Sequence, residues 1–441
     1  MTMSDDFSSP VLAELQWRGF IKDISSEALD EALSDDELTL YCGFDPTAKS
    51  LHVGNLMGIM ALVHFQRHGH EPLALVGGAT GQIGDPSGKD EERELLDDQT
   101  LQGNIDAIEA QLRDVSERAA EEDGGGGIEV VNNADWLEEF SFLAFLRDVG
   151  KCFSVNAMMA KESVRARLQE REQGISYTEF SYMLIQAYDF WHLYTDRDCR
   201  LQIGGSDQWG NITAGTHLIG KKTDTDAAGA FGLTFPLITS AEGKKLGKSV
   251  DGAVYLDAEL TSPYDFYQYW VNADDRDCGK LLRLFTLLTR QKIEELEGTI
   301  ERGENRGEVQ RKLAYEVTSL IHGTEEADKV VRASKMLFGE KIEGLSDDDL
   351  SSIFSDVPST EFERRRLKSG ELGILDAFAE TGLQNSKGAT RRLIKQGGAY
   401  LNNERVADRE HVLSEDDLAS ETMLVLRSGK RKYHVLRFVE E

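Results

Sequence analysis

Positive charge is what this chain has too little of. Its 441 residues carry 49 Lys and Arg against 79 Asp and Glu, a formal net charge of −30. Such an excess repels a phosphate backbone, so general, sequence-blind nucleic-acid binding by the whole surface is excluded. Local basic patches aimed at one folded RNA are not. We read the excess as an acidic, solvated surface adapted to high salt, where repulsion is screened; an ordinary acidic protein is the alternative. Long apolar runs are missing too: no stretch reaches the length of a membrane span. The first residues, MTMSDDFSSP, have neither the basic nor the apolar region of a secretion signal, which predicts a cytoplasmic protein. Cysteine is scarce and scattered. Cys42, Cys152, Cys199 and Cys278 show no C-x-x-C spacing, which predicts free thiols rather than a disulfide framework or a thiolate metal site. Residues 77–89, GGATGQIGDPSGK, imitate a P-loop but hold Ile83 where its first glycine would fall, and G-x-G-x-x-G does not fit either. There is no internal repeat.

The length allows two to four domains. Strand patterns at LTLYCGFD, PLALVGG (72–78), IEVVNN (128–133), CRLQIGGSDQ and TFPLIT (234–239) alternate with helical patterns, including 101–122 and 135–149. This alternation predicts a parallel α/β sheet. Residues 150–198 read as a mostly helical insertion between its halves. From Ser262 to Phe338 the pattern is helical; 339–370 is polar and reads as a hinge; 371–441 reads as a separate module. The expected domains are therefore 1–233, a loop linker at 234–260, a helical domain at 261–338, the hinge, and the terminal module.

Three stretches carry chemistry. In 41–56, YCGFDPTAKSLHVGNL, a strand turns at Pro46 into a helix starting near His52. A helix N-terminus there offers free N–H groups to an anion, and Gly54 allows close approach. In 243–249, GKKLGKS, Lys245 and Lys248 sit in a glycine-rich loop. In the apolar stretch 177–194, Tyr182, Gln186 and Asp189 fall on one helical face. A carboxylate among apolar neighbours is costly unless hydrogen-bonded, so this face is either a structural network or the wall of a pocket for a polar ligand.

The pair His52-Val53-Gly54-Asn55 and Lys245-Leu246-Gly247-Lys248-Ser249 resembles the ATP signatures of class I aminoacyl-tRNA synthetases, written HIGH and KMSKS. Asn55 departs from the second histidine, and Leu246-Gly247 from Met-Ser. With GGATGQIGDPSGK and IGGSDQWGN (203–211), the resemblance narrows to the tyrosyl-tRNA synthetases and spans nearly the whole chain. It implies a Rossmann-like catalytic domain with a dimer-forming helical insertion, an α-helical domain, and an α+β module of S4 type. It also implies two steps: tyrosine and ATP give tyrosyl adenylate and pyrophosphate, then tyrosine passes to tRNA(Tyr). By the same resemblance Tyr41 and Asp189 meet the tyrosine hydroxyl, Asp85, Tyr182 and Gln186 meet its α-amino group, and Gln202 faces the substrate. Gly43, Asp45, His52, Gly54, Asn55, Gly205, Asp207, Gln208 and Lys248 hold ATP or the adenylate. The first step needs no protein nucleophile, only positioning and donors to developing phosphate charge; Thr47, His52, Lys89, Arg93, Lys245, Lys248 and Ser249 are the candidates. Mg²⁺ is expected with ATP, held by phosphates and water, without a dedicated metal site. The resemblance also implies a homodimer.

SKGATRRLIKQGGAYLNNERV (386–406) resembles the S4 RNA-binding module, with Arg391, Arg392 and Lys395 on a helix and Lys430, Arg431 and Lys432 near the end. Over 374–441, 11 Lys and Arg balance 11 Asp and Glu, so the whole excess of −30 lies before it. That asymmetry fits an RNA-facing module on an acidic body. Lys221 and Lys222 are candidates, on charge, for the RNA acceptor end. Three other readings remain in view: a tryptophanyl enzyme of the same architecture, a nucleotidylyltransferase sharing the opening motif, and an RNA-binding regulator with a retired active site.

Overall fold

The computed structural model describes residues 7–87, 96–123, 127–161, 164–165, 175–223, 229–243, 246–249, 252–304, 306–337, 339–354, 357–429 and 432–440. Lys89, Arg93, Lys245, Lys430 and Arg431 lie outside them, as do the side chains of Lys248 and Ser249. The chain forms two compact units, 1–324 and 325–441.

The first unit is built on strands β1 (Asp23–Ile24), β2 (Thr39–Phe44), β3 (Glu71–Val76), β4 (Glu129–Asn132), β5 (Cys199–Gly205) and β6 (Phe231–Phe235), in the order β1-β6-β5-β2-β3-β4. All neighbours are parallel except β1, a short antiparallel edge. Strands covered on both faces need apolar residues throughout, and β6 is buried at every position while β3 is exposed only at Glu71. Helices Leu56–Arg67 and Asp98–Asp123 connect β2 to β3 and β3 to β4. The helical stretch after β4 then brings the chain back to lay β5 beside β2. The chain thus leaves β2 and β5 in opposite directions across the sheet, which opens a crevice at their carboxyl ends.

Two local expectations shift. The strand expected at 234–239 is Phe231–Phe235, because Pro236 has no N–H to extend the ladder. The helix expected at 135–149 breaks into Ala134–Leu137 and Phe142–Asp148, the second capped by Ser141, whose hydroxyl accepts from the Ala144 amide.

Helices Pro263–Val271, Asp275–Phe285, Arg290–Glu301 and Arg306–His322 complete this unit. Arg18, at the end of helix Pro10–Arg18, is 3% exposed. It pairs with Glu14 and donates to the carbonyls of Arg283, Thr286 and Leu288 at 2.8, 3.0 and 2.8 Å. Those carbonyls lie where a helix ends and has no partners of its own to offer.

The second unit contains helix Thr324–Leu337, helix Asp347–Ile353 and a five-stranded sheet, β11-β10-β12-β13-β9. Here β9 is Ser359–Glu363, β10 Ala399–Leu401, β11 Glu404–Arg405, β12 Met423–Ser428 and β13 Lys432–Val439. Residues 339–370 are therefore not a hinge. They supply a helix and the edge strand β9, which pairs in parallel with β13. Helix Thr324–Leu337 belongs here as well, because Met336 packs with Ile342, Leu350, Phe354, Val425 and Val435. No helix among the described residues is long and apolar enough to cross a membrane, and all four cysteines are free.

Replacing Arg18 with Leu leaves Glu14 and three carbonyls without their donor. The expected cost is about 3 kcal/mol, read as a lower urea midpoint with an unchanged slope.

Candidate active site

The crevice is a cavity of about 540 Å³. It brings together fifteen residues singled out from sequence: Tyr41, Gly43, Asp45, Thr47, His52, Gly54, Asn55, Asp85, Tyr182, Gln186, Asp189, Gln202, Gly205, Asp207 and Gln208. β2, β5, the turns that follow them and helix Tyr177–Arg197 supply nearly all of them.

Tyr41, Asp189 and Gln202 are 1%, 1% and 2% exposed. Asp189 accepts from Asn133 Nδ2 at 3.0 Å and Trp136 Nε1 at 2.8 Å. These donors explain how a carboxylate survives inside an apolar helix. Burial still pushes its pKa up to about 7. Burial first, then the nearby Asp189 charge, holds the Tyr41 phenol well above its ordinary range, so it stays protonated. The Tyr41 hydroxyl and Gln202 Oε1 are buried without a hydrogen-bond partner. Buried polar atoms are rarely left so, and both line this cavity.

A second group is satisfied internally. Asp85 accepts from Gln208 Nε2 at 2.6 Å and from the Ser87 amide at 2.9 Å. Asn211 Nδ2 donates to Gln186 Oε1 and Gln208 Oε1. Asp45 accepts from the Tyr182 hydroxyl and from Thr80 Oγ1, each at 3.0 Å. The first glycine of the 77–89 string serves this contact: a Cβ on Gly77 would lie 2.3 Å from both Asp45 Oδ1 and Thr80 Oγ1.

At the other end, His52 leads into a 3₁₀ turn, Val53–Asn55, and then helix Leu56–Arg67. Asn55 Oδ1 accepts the His52 amide at 3.0 Å, a local capping role for the residue that departs from the motif. The second signature lies alongside. Val53 N donates to Val254 O at 2.9 Å, Leu256 N to Leu51 O at 2.8 Å, and Val254 N to Gly247 O at 2.9 Å. Gly247 has φ +83°, and a Cβ on it would approach Gly54 N to 3.0 Å. Glycine in place of the motif's serine suits both this positive φ and the close approach to Gly54. Backbone strands β7 (Lys248–Ser249) and β8 (Gly252–Ala253) pair just beyond.

Sequence reasoning missed Thr80, Asn133, Trp136 and Asn211. Asn133 was signalled by its place directly after β4, at the carboxyl edge of the sheet, but its reach to Asp189 follows only from the crossing of the chain. Among the described residues, no group of three His, Cys, Asp or Glu side chains is placed to hold a metal ion.

In the second unit Arg391, Arg392 and Lys395, on helix Lys387–Lys395, line a cavity of about 630 Å³ with Arg405 and Arg409, two cations the sequence did not single out. Arg391, Arg392, Lys395 and Arg405 have no carboxylate partner among the described residues. Lys432 is exposed at the start of β13, outside that cavity. Lys221 lies in a separate cavity with Lys151, Lys161 and His217, while Lys222 covers the Trp191 ring at 5.3 Å.

The family described as tRNA synthetases class I (W and Y) matches residues 33–339. A second, the tyrosine–tRNA ligase SYY-like C-terminal domain, matches residues 349–436. The tyrosine–tRNA ligase of Roseiflexus castenholzii is 48% identical over 97% of this chain and 99% of its own length. That of Rhodopirellula baltica is 47% identical over 99% and 98%. Among solved structures, a C-terminally truncated mitochondrial tyrosyl-tRNA synthetase of Aspergillus nidulans is similar with a TM-score of 0.68 and 30% identity, covering 74% of this chain and 94% of that one. By these likenesses the chain belongs to the tyrosyl-tRNA synthetases, a class I aminoacyl-tRNA synthetase family.

Proposed function

We propose that this chain activates L-tyrosine with ATP to tyrosyl adenylate, releasing pyrophosphate, and transfers tyrosine from the adenylate to the 3′ end of tRNA(Tyr), releasing AMP. The observation that carries the amino-acid choice is the buried, unpartnered Tyr41 hydroxyl beside Asp189. A substrate phenol donates to the Asp189 carboxylate and accepts from Tyr41, satisfying both. Phenylalanine fits the shape but leaves the buried Tyr41 hydroxyl unpaired and offers Asp189 no donor beyond Asn133 and Trp136.

The α-ammonium group of tyrosine takes Asp85, with Tyr182 and Gln186 beside it, displacing the internal bond from Gln208. Its carboxylate attacks the α-phosphorus of ATP, forming the acyl–phosphate bond as the bond to pyrophosphate breaks. ATP lies along Gly43, Asp45, Gly54, Asn55, Gly205, Asp207 and Gln208. Thr47 and His52 donate to phosphate oxygens at the head of helix Leu56–Arg67; Lys89, Arg93, Lys245, Lys248 and Ser249 are assigned to the same charge by likeness to the family. Mg²⁺ travels with ATP on phosphate oxygens and water.

The cation cluster of the second unit binds tRNA phosphates, Arg405 and Arg409 joining Arg391, Arg392 and Lys395. Exposed apolar residues in the insertion and on the helix just before it, among them Val155 at 59%, Tyr177 at 66%, Phe142 at 63% and Leu143 at 77% exposure, support homodimerisation through this part of the chain. The acidic, spanless chain fits a cytoplasmic enzyme.

Labelled pyrophosphate exchange into ATP tests the reading directly. It is expected with tyrosine and not with phenylalanine or tryptophan; no exchange with any amino acid would end the proposal. In Tyr41→Phe the preference for tyrosine over phenylalanine should narrow about tenfold, the worth of one hydrogen bond. Acidity gives a second check. The carboxylate form of Asp189 is the acceptor, and its pKa near 7 means protonation as pH falls from 8 to 6. The KM for tyrosine should therefore rise over that range, with the KM for ATP steady. Finally, Arg392→Glu with Arg405→Glu should raise the KM for tRNA at least tenfold, steeply dependent on salt, while exchange stays at the parent rate.

A further inference from the structure

Gly247 stands between Leu246 and Lys248 of the second signature, and both its main-chain groups are committed. Its carbonyl accepts from Val254 N. Its amide donates to the Tyr269 hydroxyl at 2.9 Å. Tyr269 belongs to helix Pro263–Val271 and is braced edge-on by Trp270, ring centroids 5.2 Å apart. Two more bonds reach the approach to the loop from the next helix, Asp275–Phe285. Asp277 Oδ2 accepts the Ala241 amide at 2.8 Å, and Lys280 Nζ donates to Thr239 O at 3.3 Å. The helical part of the first unit thus holds the segment before and within the second signature at three points. Only the Tyr269 bond falls within the signature itself.

We infer that Tyr269 and Asp277 are positioning residues for tyrosine activation: the Tyr269 hydroxyl and the Asp277 carboxylate set the backbone of the second signature against Gly54, where the ATP phosphates arrive. The inference rests on the activation reading. It adds that the placement of the loop is a property of the helices behind it as well as of the loop. Gly247 cannot swing toward Gly54 or away from it without breaking the Tyr269 bond or the Val254 bond. Asp277 restrains the same segment upstream, so the two residues act on one element.

The test compares Tyr269→Phe, Asp277→Ala and Asp277→Asn with the parent chain. Tyr269→Phe keeps the ring and its packing and removes only the acceptor. Its kcat for pyrophosphate exchange should fall about five- to tenfold, the worth of one hydrogen bond, with the KM for tyrosine unchanged and melting temperature within a degree or two. Asp277→Ala should lower kcat likewise, and Asp277→Asn, which keeps a side-chain oxygen for the Ala241 amide, should restore most of it. Hydrogen–deuterium exchange of the peptide 246–256 should be faster in Tyr269→Phe than in the parent. That readout needs no turnover, so it reports on the tether even in a chain that activates no amino acid. Parent-like kcat together with parent-like amide exchange in Tyr269→Phe would overturn the inference, as would losses that appear only as a raised KM for tyrosine.

Discussion

A carboxylate buried in the middle of an apolar helix is the constraint from which the catalytic unit follows. Asp189 needs hydrogen-bond donors, and among the described residues none on its own helix bonds to it. They come from the turn after β4, as Asn133 and Trp136. Asn133 also donates to Thr80 after β3, Thr80 to Asp45 after β2, and Tyr182 of the pocket helix closes on Asp45. One hydrogen-bonded chain therefore links the carboxyl ends of three adjacent strands to the helix that returns the chain to β5. Each link satisfies a polar group that would otherwise destabilise the crevice, so the geometry around Asp189 and the stability of the sheet edge are a single problem with a single solution.

Much of this was legible in the sequence, because its signals are local. The apolar runs of β2, β3 and β5 mark a covered parallel sheet, the positions of His52, Asp85 and Gly205 follow from strand and turn patterns, and that of Asp189 from the polar face of an apolar helix. What was not legible depends on pairing across the fold. Thr80, Asn133 and Trp136 lie on segments far from Asp189 in sequence, and nothing in residues 128–136 announces the donor role. The strand Ser359–Glu363 was hidden for another reason. It is an edge strand in which only Phe362 is buried, so it reads as polar linker until β13 is beside it. Pro236 was a signal available and passed over, and the β6 boundary moved accordingly.

The two departures from the signature consensus have separate causes. Asn55 is used as a local cap for His52, so its identity answers to the turn as much as to any ligand. Gly247 answers to the close approach of Gly54 and to its own positive φ. Two motifs distant in sequence are joined through one residue: the Val254 carbonyl accepts from Val53 N, and the Val254 amide donates to Gly247 O.

The internally paired Asp85 and the unpaired Tyr41 divide the ligand's length into two thermodynamic regimes. In the proposed binding mode the ammonium group at Asp85 replaces a bond within the protein, from Gln208, so the swap is close to neutral. With the phenol placed at Tyr41, as proposed, no bond within the protein is given up, because the Tyr41 hydroxyl has no prior partner. On the proposed binding mode recognition is weighted toward the ring's far end: the zwitterionic head, common to every amino acid, yields little discrimination, while the one atom that distinguishes tyrosine meets the uncompensated Tyr41 hydroxyl. The crevice is in effect a comparator, insensitive to what its candidates share and sensitive to the oxygen by which they differ.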